Sequence, residues 1–304
     1  MQKGELLMEF CHITPTKYVD LVADHPRHLL LAHLVETNED YVNKYLEIKN
    51  HNPNTTFILD NSLFELFKAG KKPFESEKLI DLGKKVNADY IVMSDYPTER
   101  WTVTRNKAIE LAPIFKEAGF KTFYVPQSDL GDLEGLLDSI CWGLENDDMI
   151  DLIGMSILAC PIALGLKENR YNEKVEGAYR LQRYLSRKCV FDALTKRLYR
   201  NEQYNPLFRK IRNRFHCLGM TEGYKEIELL QDPIRSEWIA SWDSSSAVWH
   251  GLNGIKYDNS PTGLVNGKFE EEVDFNYSTN NKNNIEKAKA NVATIDELIQ
   301  SLTF

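Results

Sequence analysis

Eight short apolar runs recur along the chain, each closing in turn residues and giving way to a more polar segment. They are Leu7 to His12, His28 to Val35, Thr56 to Asn61, Tyr90 to Asp95, Lys121 to Gln127, Asp151 to Ile157, Arg214 to Met220 and Ile239 to Asp243. Between and after them lie Pro73 to Val86, Arg105 to Ala118, Leu130 to Leu144 and Asn284 to Leu302, whose apolar residues return every three or four positions and predict helices. Strand and helix in alternation imply a parallel sheet, and eight strands suit a closed (β/α)8 TIM barrel better than an open sheet. Chemistry in such barrels sits at the C-terminal ends of the strands, so the polar residues that end these runs are the candidate site.

Those residues are Asp60, Asp95, Gln127, Gly154 with Met155, Leu218 with Gly219, and Asp243. Any one of them has an ordinary reading, because Asp, Asn and Gly are common where a strand turns. Asp243, followed by Ser244, Ser245 and Ser246, also reads as the cap of the next helix. His12, His33 and His216 are most simply core histidines. What turn chemistry explains poorly is three aspartates ending runs almost free of charge, since a buried carboxylate is costly unless used or paired.

Composition narrows the class. A chain of 304 residues, 42% hydrophobic, is long enough for one large domain with insertions, taken here as residues 1–304. No run approaches the roughly 18 apolar residues of a membrane span, and the N-terminus has no signal-peptide core, so a cytoplasmic protein without membrane contact is expected. The cysteines at 11, 141, 160, 189 and 217 are scattered and form no Cys-x-x-Cys, which fits a reducing compartment and no thiolate zinc site.

A net charge of -8 argues against general affinity for nucleic acid, but charge is unevenly placed. Residues 180–214 hold eleven basic side chains against Asp192 and Glu202, interleaved with Tyr184, Phe191, Tyr199, Tyr204 and Phe208. This stretch is expected to be a basic helical insertion before the seventh strand. It would contact phosphates through Arg183, Arg187, Lys188, Lys196, Arg197, Arg200, Arg209, Lys210 and Arg212. The plainer reading is a solvated amphipathic helix over Tyr179 to Tyr199. Residues 258–284, rich in Asn, Gly, Ser and Thr, read as a surface loop.

Two carboxylates facing one substrate can divide into a nucleophile and a general acid/base, as in glycosyl transfer through a covalent intermediate. A third carboxylate, with a glutamine and a bare backbone N–H, suits the edge of a planar base. On these motifs the chain resembles the tRNA-guanine transglycosylase superfamily, and within it the phage-encoded DNA 7-deazaguanine transglycosylases. Asp60-Asn-Ser-Leu-Phe64-Glu65 is similar to the family's Asp-Ser-Gly-Gly-aromatic-Gln motif, and Ser94-Asp95-Tyr-Pro97 to its base-reading aspartate and turn. Val125-Pro-Gln127 resembles Val-Gln-Gly, Ile153-Gly154-Met155 resembles Gly-Gly-Leu, and Leu218-Gly219 resembles the strand end beneath the base. Asp243-Ser-Ser-Ser-Ala resembles the segment carrying the nucleophile.

The resemblance implies Asp243 as nucleophile, Asp60 as general acid/base, and Phe64, Asp95, Gln127, Gly154, Met155, Leu218 and Gly219 as the base pocket. It implies exchange of guanine in flipped-out duplex DNA for a 7-deazaguanine such as the 7-cyano compound, with no cofactor and no catalytic metal. The family's Cys-x-Cys-x-x-Cys zinc module and its basic Pro-Thr-Arg segment are absent after Asp243, and its double glycines are replaced at Ser62-Leu63 and Ile153. These departures fit the smaller phage DNA enzymes better than the tRNA enzymes. A tRNA-directed enzyme, a non-catalytic nucleic-acid-binding barrel and an unrelated barrel glycosidase remain as alternatives.

Overall fold

Each of the eight apolar runs holds a strand, which for β2 and β8 reaches one residue beyond the run: β1 (Glu9–His12), β2 (Arg27–Leu31), β3 (Thr56–Asp60), β4 (Tyr90–Val92), β5 (Lys121–Tyr124), β6 (Leu152–Gly154), β7 (Phe215–Cys217) and β8 (Ile239–Ser244). In this computed structural model the described residues are 8–166, 176–220, 224–230, 232, 236–257 and 272–301. The helices are α1 (Ala32–Thr37), α2 (Glu39–His51), α3 (Leu63–Lys68), α4 (Ser76–Lys85), α5 (Trp101–Glu117) and α6 (Leu133–Glu145). They continue with α7 (Ala159–Ala163), α8 (Glu176–Arg200), α9 (Lys225–Leu229), α10 (Ser246–Leu252) and α11 (Lys282–Ser301).

The strands form one sheet in the order β1-β8-β7-β6-β5-β4-β3-β2, and every resolved register is parallel. The fold is a nearly closed (β/α)8 TIM barrel. Its strands are buried over almost their whole length, which is why they read as continuous apolar runs and not as alternation.

The chain divides into two compact units. The first comprises Met1–Ile91, Glu222–Glu228 and Ser241–Phe304. Its core is aromatic: Tyr45 stands edge-on to Tyr41, His28 and Phe57 at centroid distances of 4.8, 5.5 and 5.8 Å. Burial pushes the His28 imidazole down to about 3, so it is a neutral ring of this core. The closing helix α11 is fastened to α10 at Gly251, where a Cβ would lie 2.2 Å from the Ala288 backbone and any other residue would force the helices apart. Buried Asn291 completes the joint, accepting from Tyr257 N–H and donating to the carbonyls of Ala247 and Ile255.

The second unit comprises Val92–Thr221 and Leu229–Ala240. Here α8 buries Val190, Phe191, Leu194 and Leu198, with Phe191 edge-on to Phe215 of β7 at 5.3 Å. The insertion expected over residues 180–214 is not confirmed. The helix is the packed connection from β6 to β7, as the barrel requires between any two parallel strands, and its apolar stripe was masked in the sequence by the basic residues around it. Residues 258–271 of the expected surface loop lie outside the described residues. No described helix is long and apolar enough to cross a membrane.

Candidate active site

In the first unit, the chain leaves β3 through a sharp turn that fixes Asp60. Ser62 has φ 55°, a left-handed conformation uncommon for a residue with a side chain, and is completely buried. Its N–H donates to Asp60 Oδ2 at 2.8 Å, and Leu63 N–H donates to Asn61 Oδ1 at 3.0 Å, starting α3. The Ser62 hydroxyl is 3.0 Å from His33 Nδ1 and accepts the His33 backbone N–H at 3.2 Å. The half-buried Asp60 carboxylate, the Ser62 turn and His33 form one network. Burial, and then Lys71, hold His33 below its ordinary value, so its ring is neutral at pH 7. Phe64, in the first turn of α3, is 43% exposed.

Asp243 is 5% exposed and lies inside β8, opposite Cys11 of β1. At the start of α10, Ser246 N–H donates to Ser244 Oγ at 3.0 Å. Tyr257 OH donates to Ser246 Oγ at 3.1 Å and braces the same turn. Burial pushes the Cys11 thiol up, with the Asp243 and Glu9 carboxylates adding against Arg27, so Cys11 is a neutral neighbour of Asp243.

In the second unit, β4 ends at Val92 and Asp95 follows three residues later, the intervening Met93 N–H still donating to Phe123 O at 2.9 Å. Gln127, 3% exposed beyond β5, donates from Nε2 to Asp95 Oδ2 at 2.6 Å. A carboxylate offers about four acceptor sites, and this bond occupies one of them and orients Asp95. Gly154 ends β6 where a Cβ would come within 2.7 Å of both the Leu218 and Phe123 side chains. Met155 N–H donates to His216 O at 2.7 Å and Leu218 N–H donates to Met155 O at 3.2 Å, locking the ends of β6 and β7 together. Gly219 turns at φ 71°. His216 is fully buried against Phe123, as a core histidine.

The basic residues have several fates. Arg187 is not on an outer surface: it is 1% exposed and its Nη2 donates to Leu218 O at 3.2 Å and Gly219 O at 2.8 Å. Arg197 pairs with Asp138 at 2.6 Å and Glu134 at 2.5 Å on α6, Lys188 with Asp192 at 2.7 Å, Lys210 with Asp147 at 2.9 Å, and Arg212 with Glu237 at 3.8 Å. Lys196, Arg200 and Arg209 are exposed. The Arg183 side chain lies outside the described residues. Much of the local positive excess is therefore met by acids from elsewhere in the fold, which a linear count of charge along the chain does not register.

Arg187 is the residue whose role the sequence concealed, since it was counted with the surface cations around it. Replacing it by Leu takes a charged donor away from Leu218 O, which keeps its bond from Ile157 N–H at 3.1 Å, and from Gly219 O, and an expected loss of about 2–4 kcal/mol should appear in urea unfolding. A phosphate contact on the surface would change stability by no more than about 0.5 kcal/mol.

A further group of possible ligands lies in the first unit, where His12, His25 and Asp296 bring their donor atoms within 4.8 Å of one another. The five cysteines are all free thiols, four of them buried. Compared with known proteins, the chain matches no family model and no curated protein.

Proposed function

We propose that this protein is a transglycosylase that exchanges guanine in DNA for a 7-deazaguanine base. The observation that carries the reading is the Asp95 and Gln127 pair, a base-edge reader held at 2.6 Å beyond the ends of adjacent strands. Guanine presents N1–H and its 2-amino group as two donors on one edge, and an ionised carboxylate accepts such a pair. Gly154, where a Cβ has no room, leaves backbone and not a side chain at the end of β6. Ser62 adds support of another kind: its left-handed φ is the conformation that a glycine at that place in the family motif supplies freely.

In the proposed reaction Asp243 attacks C1′ of a flipped-out deoxyguanosine. A carboxylate ester to C1′ forms as the bond from C1′ to N9 breaks, and Asp60 gives its proton to the leaving guanine. The incoming 7-deazaguanine surrenders its N9 proton to Asp60, and N9 displaces the Asp243 carboxylate to release the modified strand. Phe64 stacks on the base. Flipping costs a few kcal/mol, which contacts with the DNA backbone must offset. Exposed Lys196, Arg200 and Arg209 are the described cations proposed for that role.

The test is incubation of the purified protein with radiolabelled guanine and either duplex DNA or tRNA. Label should enter DNA. Label entering tRNA alone would make this an RNA-directed enzyme, and label in neither polymer would overturn base exchange.

A further inference from the structure

The proposed exchange leaves one cluster of the first unit unused. His12 closes β1, His25 precedes β2, and Asp296 lies on α11. His12 Nε2 is 3.0 Å from Asp296 Oδ1, and His25 Nε2 is 3.1 Å from both carboxylate oxygens. The two imidazoles meet edge to face with centroids 4.8 Å apart. His25 Nδ1 is 3.0 Å from Val22 O, a geometry in which Nδ1 carries the hydrogen and donates it. In a neutral ring Nε2 is then a lone pair, and it faces a carboxylate that is itself only an acceptor. Two acceptors at 3.1 Å require positive charge between them, either a proton or a metal ion. A ring that gives its other N–H to a backbone carbonyl is also the usual support of a metal-bound histidine.

We propose that His12, His25 and Asp296 bind a zinc-class divalent cation, which fastens α11 to β1 and to the segment before β2. Two imidazoles and one carboxylate match zinc, whereas magnesium and calcium prefer oxygen ligands throughout. Tetrahedral ligands at bond lengths of about 2.0–2.1 Å stand about 3.3 Å apart; the two imidazole–carboxylate separations, 3.0 and 3.1 Å, are close to that, and all the ligand atoms lie within 4.8 Å of one another. The His12 side chain is fully buried, while those of His25 and Asp296 are 17% and 29% exposed, so the ion has a route in and a side for a water ligand. His12 and Asp296 are 284 residues apart, so the ligand set exists only in the folded chain and binding is linked to folding.

The experiment uses the full chain with Cys189→Ser, which removes the one exposed thiol. After treatment with a chelator it is titrated with zinc chloride by calorimetry, with magnesium chloride in parallel. One zinc per chain should bind and raise the melting temperature, and magnesium should do neither. His25→Ala and Asp296→Asn should each weaken binding by about 100-fold or more, beyond the roughly 10- to 100-fold cost of losing a supporting hydrogen bond, and abolish the rise in melting temperature. His51→Ala, at an exposed histidine, should change nothing. Both ligand variants lie at partly exposed positions, and circular dichroism checks that they fold. No one-to-one binding, or binding that survives both ligand variants, overturns the site and leaves a cluster held together by a proton.

Discussion

Replacing Asp243 by Asn should lower base exchange by roughly 10⁴-fold or more while leaving the barrel folded. The substitution keeps the size of the side chain and the backbone pairing of β8 with β1 through Cys11. It removes the one feature the proposed chemistry needs, an anionic oxygen to form the ester. Ser244 Oγ accepts from the first amide of α10, a bond that the substitution leaves in place. Denaturant unfolding and exchange rate measured on the same sample separate the two roles. A variant that loses stability and activity in proportion would return Asp243 to a structural part, and one that retains exchange would remove it as nucleophile.

The second large effect is expected at Asp95. Asn in its place presents an N–H donor where guanine also presents donors, and it weakens the bond from Gln127 that orients the group. A site built to hydrogen-bond one edge discriminates strongly, because its polar groups are left unpaired by the wrong partner. Asp95→Asn should therefore reduce kcat/KM for guanine by roughly 10³-fold or more. Hypoxanthine, which lacks the 2-amino group, should be affected much less. Equal losses for the two bases would mean that Asp95 does not read this edge.

The barrel was legible because its strands are buried on both faces. Each strand therefore appears as an apolar run, and the break in each run marks where the chain surfaces. The same rule found Asp60, Asp95 and Gln127, all at or just past strand ends. It placed Asp243 at a strand end as well, although β8 runs one residue further, to Ser244.

What the sequence concealed depends on partners distant along the chain. Arg187 reads as one more cation of a basic helix, but its packing against the β7 end is visible only in three dimensions. Arg197 and Lys210 look like surface charge until α6 and the loop after it bring Glu134, Asp138 and Asp147 to them. Ser62 carries no sign in its identity of the left-handed turn it adopts. His12, His25 and Asp296 lie too far apart in the chain for any local spacing rule to join them.

The most direct measurement is mass analysis of peptides from protein quenched in denaturant during turnover with a guanine-containing DNA. The expected result is a nucleotide-mass ester on the peptide that contains Asp243, absent when Asn replaces it. Exchange without such an ester, or an ester on another residue, would contradict the nucleophile and the mechanism built on it.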